Sequence, residues 1–499
     1  MHESQRSVSN HAPNPTVIVL SLLTIGALVI RLVTIAQTID VSGDGPTRAV
    51  QAYTWSQQPQ WLTSGIWPPA YLYLTGLVTR WFPYPLYSLR VLNAVLGAVS
   101  IPVFYQFVRR IYDSIEGRGI ALLSAIGMTV LQLHISLSSS SLAESALLSW
   151  IIFASAAFLS GTHDRLEKPA EKLKYGWKLG LFFLCFGIAQ MTRYEAWLFV
   201  PLFPLYYFAR VRKLGEAIAI AMVCLFFPGL WMWGNHLGTG NALIGFSDAN
   251  TVFAGEGKEP GNLGLALQLA LEKPIAHLGA IPVMAAIGGF GMTVWSLIQR
   301  KMTLEQGLHF AMLGFFSMAM FRNLVIRGES FWDRYLLMGF VLALPWMFLP
   351  VKRWLTRLDW KMFTIALVLI LSLALPRSPK ATLYLTREQP AKMQAVAQWL
   401  QQSEYRDRAA LITPMNWEGS YLPIYFPELG LRSLLVSFWV KEPNLKAFIQ
   451  TQNPTLLITN DDDQQYIEML KPWMGDRISQ RQQIFRTQDT AIYQVPPSQ

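Results

Sequence analysis

Long runs of apolar residues, separated by short polar segments, occupy most of the chain before residue 377. The first run, residues 16–38, corresponds to a helix of roughly 33 Å at about 1.5 Å per residue, which is enough to cross a bilayer. Because it is too long for the apolar part of a signal peptide, we expect it to be retained. The pattern predicts about eleven spanning helices, at residues 16–38, 84–108, 119–136, 142–160, 176–191, 196–209, 214–233, 275–298, 306–322, 334–350 and 360–376.

Lys and Arg residues concentrate in alternate loops between these predicted spans, such as the loop with Arg109, Arg110 and Arg118. Cytoplasmic loops collect these residues, so the alternation predicts that the N-terminus lies in the cytoplasm. We expect the membrane to be the plasma (inner) membrane. The shorter segment 68–82 is interrupted by polar residues, and counting it as a span would reverse every later loop. We therefore expect it to lie on the membrane surface.

Polar residues become frequent again after residue 377, on the side opposite the cytoplasm. Strands expected at residues 409–412, 434–438, 455–459, 484–487 and 491–495 alternate with helices at 391–402, 444–450 and 464–470. This alternation predicts a small α/β domain outside the cytoplasm. The predicted organisation is a disordered cytoplasmic segment (1–15), a transmembrane domain (16–377) whose first outer loop is 39–83, and an extracytoplasmic α/β domain (378–499).

The composition fits a polytopic α-helical membrane protein. Hydrophobic residues make up 52% of the 499 residues and charged residues only 14%, whereas soluble proteins have about a quarter charged residues. The net charge of +10 is explained by the cytoplasmic loops, so we expect no nucleic-acid partner. Cys185 and Cys224 both lie inside apolar runs, which argues against a disulfide framework or a cysteine-based metal site.

Several polar residues that loops and helix ends do not readily explain fall on the outer side of this topology. Carboxylates and arginines that converge at one rim of a bundle indicate a site at the membrane–water boundary. A transporter would more often bury ionisable groups near the midplane. The main charges deep in the spans are Arg31 and Arg90, and we expect both to snorkel. The outer residues are Asp40, Asp44, Glu144, Arg193, Glu195, Asn235, His236, Asp248, Arg327, Glu329, Asp333 and Arg334.

Asp44 is followed by Gly45 and Pro46, and an Asp before Gly-Pro is ordinary turn chemistry. It can also cap a helix that begins near Pro46. Alternatively, its carboxylate acts as a general base that takes a proton from a sugar or protein hydroxyl, which contributes ~10²–10⁴-fold to a rate. The sequence leaves these interpretations open.

Glu144 follows Ser141 at the spacing of a capping box, which predicts a role at the start of the next helix. The other interpretation is a second acidic group that faces the same pocket as Asp44. The two are compatible, because a capping residue can also line a site.

Arg193 and Arg334 lie at outer ends of predicted spans, each beside a tyrosine. Such a pair is often an interfacial anchor. A planar guanidinium also binds phosphate oxygens in a bidentate manner, so a phosphate or pyrophosphate grip is the alternative.

His134 and the aromatic residues of the first outer loop also have two interpretations. A histidine in the position of His134 is more often structural, and the alternative is that it coordinates a metal. Aromatics near a membrane surface are typical of an interface belt, and they can also stack on sugars. The loop aromatics are Tyr53, Trp55, Trp61, Trp67, Tyr71 and Tyr73.

The order of these motifs resembles that of the C-type (GT-C fold) membrane glycosyltransferases. This group includes the protein O-mannosyltransferases and the lipid A aminoarabinose transferase. The resemblance covers about residues 16–350, and its motifs share one side of the predicted topology. They are Gly43-Asp44-Gly45-Pro46-Thr47-Arg48, Trp67-Pro68-Pro69-Ala70-Tyr71, Ser88-Leu89-Arg90, His134-Ile-Ser136, Ser141-Leu-Ala-Glu144, Thr192-Arg193-Tyr194-Glu195 and Asp333-Arg334-Tyr335.

The resemblance implies transfer of a sugar from a polyprenyl-phosphate-linked donor to an extracytoplasmic acceptor hydroxyl, with inversion at the anomeric carbon. Asp44 matches the acidic residue of the family's first loop and would activate the acceptor, and Glu144 matches a second acidic position. Arg193 and Arg334 would hold the departing phosphate. Further candidates for substrate binding are Arg48, Tyr53, His134 and Glu195.

Many relatives carry two adjacent acids in the first loop, whereas Gly45 follows Asp44 here. We therefore predict neither a metal nor another cofactor, with a divalent metal as the less favoured alternative. The expected partners are the lipid-linked donor, membrane lipid and an acceptor that is a glycan, a lipid or a protein.

Two alternatives belong to other functional classes. A flippase or transporter for lipid-linked sugars or polysaccharides would depend on polar residues deep in the bundle. A non-catalytic partner in cell-envelope assembly would function without Asp44 and Glu144.

Overall fold

The computed structural model describes most of the chain. The predicted span at 360–376, the predicted domain boundary at 377/378, residues 1–14, Asp248 and Glu329 lie outside the described residues. The described residues are 15–351 and 385–497 except for 43, 58, 66, 83, 168–171, 246–261, 328–332, 387–390, 406, 414–421, 423–425, 427, 428, 436–441, 461–463, 488 and 489.

Helices dominate the part of the chain up to residue 351, and short 3₁₀ turns interrupt them at Tyr194–Phe199, Asp333–Leu336 and Leu349–Val351. The helices are α1 (Pro15–Gln37), α2 (Asp44–Gln57), α3 (Ala70–Trp81), α4 (Pro85–Ile111), α5 (Ile115–Val130), α6 (Gln132–Ser138), α7 (Glu144–Glu167), α8 (Lys172–Gln190), α9 (Leu202–Val211), α10 (Leu214–Thr239), α11 (Leu263–Leu278), α12 (Ala280–Ile298), α13 (Leu304–Arg327) and α14 (Leu337–Phe348).

Six helices in the described residues are long and apolar enough to cross a membrane, namely α1, α4, α7, α10, α12 and α13. The pair α5 and α6, bent by 57°, raises the number to seven if it is one span. The chain is thus a polytopic helical membrane protein, as predicted, but eleven uninterrupted spans are not found in these residues. Breaks within apolar runs cause part of the difference. The predicted span 196–209 is divided into a 3₁₀ segment (Tyr194–Phe199) and the short helix α9 (Leu202–Val211). Gly279, with a φ of 85°, shortens the predicted span 275–298 by separating α11 from α12.

Helix α3 lies in the segment that was expected on the membrane surface. It contains 12 residues, which corresponds to about 18 Å and is too short to cross the hydrocarbon core. It packs against α2 and α4, and the backbone N–H of Ala70 donates to the carbonyl of Met191 at 2.7 Å. These contacts fix the first outer loop on the bundle.

Helix α7 forms the centre of the bundle. Of its apolar stretch 83% is buried, against 17–56% for the other five long helices. Phe158 on α7 contacts the rings of Phe182 and Phe203, with centroids 4.8 and 4.9 Å apart. Because such aromatic packing holds a helix rigidly, the first residue of α7, Glu144, projects from a fixed base.

Arg31 and Arg90 are fully buried, so the expectation that they snorkel is wrong. Arg31 donates from Nε to the hydroxyl of Ser138 at 2.6 Å, and its Nη2 contacts Nδ1 of His134 at 2.9 Å. Arg90 donates to the carbonyl of Thr38 at 2.7 Å. Polar partners inside the bundle compensate for burial, and these contacts tie separate helices together.

An α/β unit follows the bundle, and its strands and helices lie within a few residues of the predicted positions. The elements are α15 (Ala391–Gln402), β3 (Ala409–Ile412), β4 (Arg432–Leu435), α16 (Glu442–Gln452), β5 (Leu456–Asn460), α17 (Gln464–Met474), α18 (Asp476–Ser479), β6 (Gln482–Arg486) and β7 (Thr490–Gln494). The strand order in the sheet is β4–β3–β5–β7–β6. Strand β3 pairs in parallel with β4 and β5, and β7 pairs antiparallel with β5 and β6.

A two-stranded ladder connects the first outer loop to the segment that precedes this unit. Strand β1 (Ile39–Asp40) pairs with β2 (Leu385–Thr386) in antiparallel register. Asp40 is opposite Leu385, and both side chains are buried. The first outer loop and the segment just before the α/β unit are therefore joined beside the candidate site.

Candidate functional site

Asp44 is the first residue of α2, where a carboxylate interacts favourably with the helix dipole. The helix begins there because the chain turns: the N–H of Gly45 donates to the carbonyl of Ser42 at 3.1 Å. The predicted turn is therefore present. The Asp44 side chain also reaches Arg334, whose Nη2 donates to Oδ2 at 2.5 Å, although 290 positions separate the two residues.

Glu144 is 5% exposed and lies between two arginines. Its Oε1 accepts from Nη1 of Arg193 at 2.8 Å and is 3.2 Å from Nε of Arg334. Its Oε2 is buried without a hydrogen-bond partner among the described residues. The Ser141 hydroxyl donates to Asp40. Because α7 begins at Glu144 itself, Ser141 is not in the N-cap position that the predicted capping box requires.

Arg193 lies in the turn between α8 and the 3₁₀ segment that starts at Tyr194. Its Nη2 donates to Oε1 of Glu195 at 2.8 Å and its Nε to Oε2 at 3.1 Å, which is a bidentate pair. The guanidinium groups of Arg193 and Arg334 both lie 5.3 Å from the ring of Tyr335. One aromatic ring thus keeps two cations beside Glu144.

Arg48 lies one turn after Asp44 on the same face of α2, because residues four apart are neighbours on a helix. Its guanidinium lies 4.2 Å from the ring of Trp67 and 5.6 Å from that of Tyr71. Arg48 is 5% exposed, and its Nε has no hydrogen-bond partner among the described residues. The aromatic rings hold this cation without using its donor groups.

The charges of this acid–arginine cluster shift one another's protonation. Burial alone raises the pKa of Asp44, but the positive charges of Arg334, Arg48 and Arg193 outweigh it and lower this pKa below its ordinary value. Burial lowers the pKa of Arg193, whereas Glu144 and Glu195 raise it, and the net shift is upward. The cluster therefore holds Asp44 as a carboxylate and Arg193 as a cation.

Two of the sequence-predicted site residues lie apart from this cluster. His134 is buried in α6, where its Nδ1 contacts Arg31 at 2.9 Å and the carbonyl of Met128 at 3.0 Å. Tyr53 lies more than two turns beyond Asp44 on α2 and is 45% exposed. The cluster itself unites Asp44, Arg48, Glu144, Arg193, Glu195 and Arg334.

Aromatic neighbours of the cluster were not singled out as site residues from the sequence. Trp67, Tyr71 and Tyr335 contact its arginines. Each occurs in a motif that carries the family resemblance, and that position was the available signal. Their contacts with arginines could not be predicted, because aromatic residues are abundant throughout the outer loops.

Across the part of the chain that the structure describes, no group of three or more His, Cys, Asp or Glu residues is arranged to hold a metal ion. Asp44 and Glu144 contact arginines instead. The absence of a metal remains a prediction. The thiols of Cys185 and Cys224 are free and buried.

The chain has the GT-C fold, which C-type membrane glycosyltransferases also have. A sequence model of the dolichyl-phosphate-mannose-protein mannosyltransferase family matches residues 65–236, which is less than half of the chain. This match confirms the resemblance to that group. The comparison with curated proteins gives no match.

Two solved structures share this fold. ArnT from Cupriavidus metallidurans bound to undecaprenyl phosphate is 15% identical, with a TM-score of 0.61 over 97% of this chain and 98% of that protein. The Archaeoglobus fulgidus oligosaccharyltransferase in complex with Zn and sulfate is 12% identical, with a TM-score of 0.58 over 91% of this chain and 69% of that protein. At these identities the similarity defines the fold alone.

Proposed function

We propose that this protein is an inverting glycosyltransferase that moves a sugar from a polyprenyl-phosphate carrier to an acceptor hydroxyl outside the cytoplasm. The observation that carries the proposal is the meeting of Asp44 and Glu144 with Arg193 and Arg334 in one buried cluster. Two acids and two phosphate-binding side chains are what such a transfer requires. The lipid chain of such a donor would lie in the membrane beside the bundle.

The reaction is a single displacement with Asp44 as general base. The acceptor oxygen attacks the anomeric carbon from the face opposite the phosphate, and the bond between that carbon and the phosphate oxygen breaks. The bonding electrons leave with the lipid phosphate, and the acceptor proton passes to Asp44. Attack from the opposite face inverts the configuration at the anomeric carbon.

Arg193 and Arg334 bind the phosphate and stabilise the charge that it gains as it departs. A guanidinium forms two parallel hydrogen bonds with phosphate oxygens. Buried arginines need little reorganisation for this, because Tyr335 and Glu144 already orient them. In a related fold, ArnT has been solved with undecaprenyl phosphate, which supports a lipid phosphate as the leaving group.

Donor binding would increase the basicity of Asp44. In the described state the charge of Arg334 helps to keep the pKa of Asp44 low, and a carboxylate of low pKa is a weak base. The donor phosphodiester carries one negative charge, and when it shares Arg334 it reduces the positive potential at Asp44, so the pKa of Asp44 rises towards that of a useful base. Proton transfer is then favoured only when the donor is in place.

Glu144 contributes an acceptor for a hydroxyl group. Its Oε2 is buried and has no hydrogen-bond partner within the described residues, which is costly unless a ligand supplies a donor. A hydroxyl of the sugar or of the acceptor meets this need. Glu144 therefore orients a substrate while its Oε1 holds Arg193.

The proposed location is the plasma (inner) membrane, with the N-terminus in the cytoplasm and the α/β unit outside. The loops rich in Lys and Arg support this orientation. Glycans, lipids and proteins all carry suitable acceptor hydroxyls, and no metal or other cofactor takes part in the proposed reaction. Arg48, with its free Nε, is proposed to bind the substrate from the side of Trp67.

The test is transfer of labelled sugar from membrane lipid to endogenous acceptors by native protein and by Asp44→Asn, which keeps the side-chain shape. We expect a loss of ~10²–10⁴-fold in rate, the range that a general base contributes. The matched control is Asp113→Asn, whose carboxylate is 79% exposed and pairs with Arg109. If Asp44→Asn inserts normally and transfers as well as the control, the base mechanism is wrong and a transport or assembly role gains ground.

A further inference from the structure

The carboxylate of Asp40 joins the two segments that carry the proposed catalytic acids. Its Oδ1 accepts hydrogen bonds from the backbone N–H and the hydroxyl of Ser42, at 3.0 and 2.5 Å. Its Oδ2 accepts from the backbone N–H and the hydroxyl of Ser141, both at 2.5 Å. Ser42 lies two residues before Asp44, and Ser141 three residues before Glu144. Each carboxylate oxygen therefore holds one acid-bearing segment.

Burial makes this link stiff. Asp40 and Ser141 are 0% exposed and Ser42 is 1% exposed, so water does not compete for their hydrogen bonds. Bonds to an ionised carboxylate are shorter and stronger than those between neutral groups. The backbone of Asp40 is held as well, because it pairs with Leu385 in the β1–β2 ladder.

Gly45 shows how closely α2 approaches this link. A Cβ at this position would lie 2.5 Å from the hydroxyl oxygens of Ser42 and Ser141 and 2.9 Å from Oδ2 of Asp40. Such distances are too short for any side chain, so the residue after Asp44 has to be glycine while the link exists. This explains why no second acid follows Asp44 in this chain.

The segment with Ser141 is fixed to the bundle at its neighbouring residues too. Arg90 donates to the carbonyl of Ser139 at 2.6 Å, and Asn93 donates to the carbonyl of Ser140 at 2.8 Å. The start of α7 is thereby a rigid base, and Asp40 connects the first outer loop to it.

We propose that Asp40 is a positioning residue: it sets the separation between Asp44 and Glu144 so that both acids reach Arg334 together. The inference rests on the proposed function, because it assigns Asp40 a role in the same reaction. Asp40 does not touch the substrate in this scheme. It acts through the two loops, and its loss should affect the chemical step more than donor binding.

The first test is Asp40→Asn. Its amide N–H₂ group faces the backbone N–H of one of the two serines, which loses its acceptor, and its neutral oxygen holds the other serine more weakly than the carboxylate does, so both segments loosen. We expect kcat to fall on the order of 10²-fold, as misplacement by about 1 Å can cause, while KM for the lipid donor changes by less than about threefold. The matched control, Asp164→Asn, removes the negative charge from a 2.5 Å pair with Lys178 in a different part of α7 and should retain kcat.

A second readout does not depend on activity. Hydrogen exchange in nanodiscs should be faster in Asp40→Asn for peptides covering residues 41–48 and 138–146, and unchanged there in Asp164→Asn. If Asp40→Asn does not fold, Ser42→Ala and Ser141→Ala each remove one hydroxyl bond. Each should then loosen mainly its own segment and lower kcat.

The outcomes separate the two proposals. Faster exchange in both segments with no sugar transfer by native protein would reject the proposed function and keep the mechanical link. An unchanged kcat in Asp40→Asn, or unchanged exchange in either segment, would overturn the positioning role. A rise in donor KM with an unchanged kcat would also overturn it, because that result places Asp40 in donor binding.

Discussion

Arg334 is the residue that joins both acids of the acid–arginine cluster. The substitution Arg334→Lys tests this role without removing the positive charge. Arginine contacts Asp44 through Nη2 at 2.5 Å and Glu144 through Nε at 3.2 Å. Lysine has a single ammonium group and cannot occupy both positions with a fixed geometry. The variant should therefore keep one carboxylate contact and lose the other.

The magnitude follows from the contact that is lost. A hydrogen bond to a charged group contributes about 1.5–3 kcal/mol. If this stabilisation is realised in the transition state, its loss lowers kcat/KM by roughly 10- to 150-fold, since about 1.4 kcal/mol is a factor of ten. The phosphate grip loses its bidentate geometry as well, so the upper part of this range is expected.

The assay is transfer of labelled sugar in membrane vesicles that contain equal amounts of each variant. Arg322→Lys is the matched control, because Arg322 is an exposed arginine on α13. The reasoning is refuted if Arg334→Lys retains at least half of the native kcat/KM, like the control. Thermal stability of the purified variant distinguishes lost chemistry from misfolding.

Arg334→Met adds a pH dependence with a definite sign. Burial raises the pKa of Asp44, whereas Arg334 is the largest of the charges that lower it. Without Arg334 the pKa rises, so Asp44 becomes protonated at a higher pH as the solution is acidified. The acid limb of the pH–rate profile should move to higher pH in Arg334→Met and less in Arg334→Lys. If the limb does not move, the protonation of Asp44 does not control the rate.

Two further substitutions probe the surroundings of the site. Gly45→Ala places a Cβ 2.5 Å from two hydroxyl oxygens and should destabilise the protein by about 1–3 kcal/mol, seen as a lower thermal midpoint; an unchanged midpoint would contradict the close contact. His134→Ala removes a partner of buried Arg31 and should lower the thermal midpoint at a cost of about 1–3 kcal/mol, while kcat of the folded protein stays constant. A selective loss of kcat would instead place His134 in the reaction.

Local sequence patterns predicted helices and strands well where the residues of an element determine its structure by themselves. The strands and helices of the α/β unit lie close to the predicted positions, because each combines alternating or helical periodicity with clear turn residues. The six long apolar helices are likewise visible as runs of sufficient length. The break at Gly279 was missed, because apolar composition indicates that a segment lies in the membrane but does not show where its helix is interrupted.

Long-range contacts account for what could not be predicted. Asp40 and Ser141 meet across 101 positions, and Asp44 and Arg334 across 290. Several candidate site residues were identified because they share one side of the predicted topology. Burial of Arg31 was missed, because a snorkelling arginine and one bonded to a buried histidine have the same local sequence.

The long sequence separation between Asp44 and Arg334 also has a consequence for biogenesis. Synthesis at about 5–20 residues per second separates the two by on the order of 15–60 s. During that interval Asp44 and Glu144 have no Arg334, and β1 has no β2 to pair with. The acid–arginine cluster is completed only when nearly the whole bundle has been inserted, so a truncated nascent chain in the membrane carries its acids but should not carry out the proposed transfer.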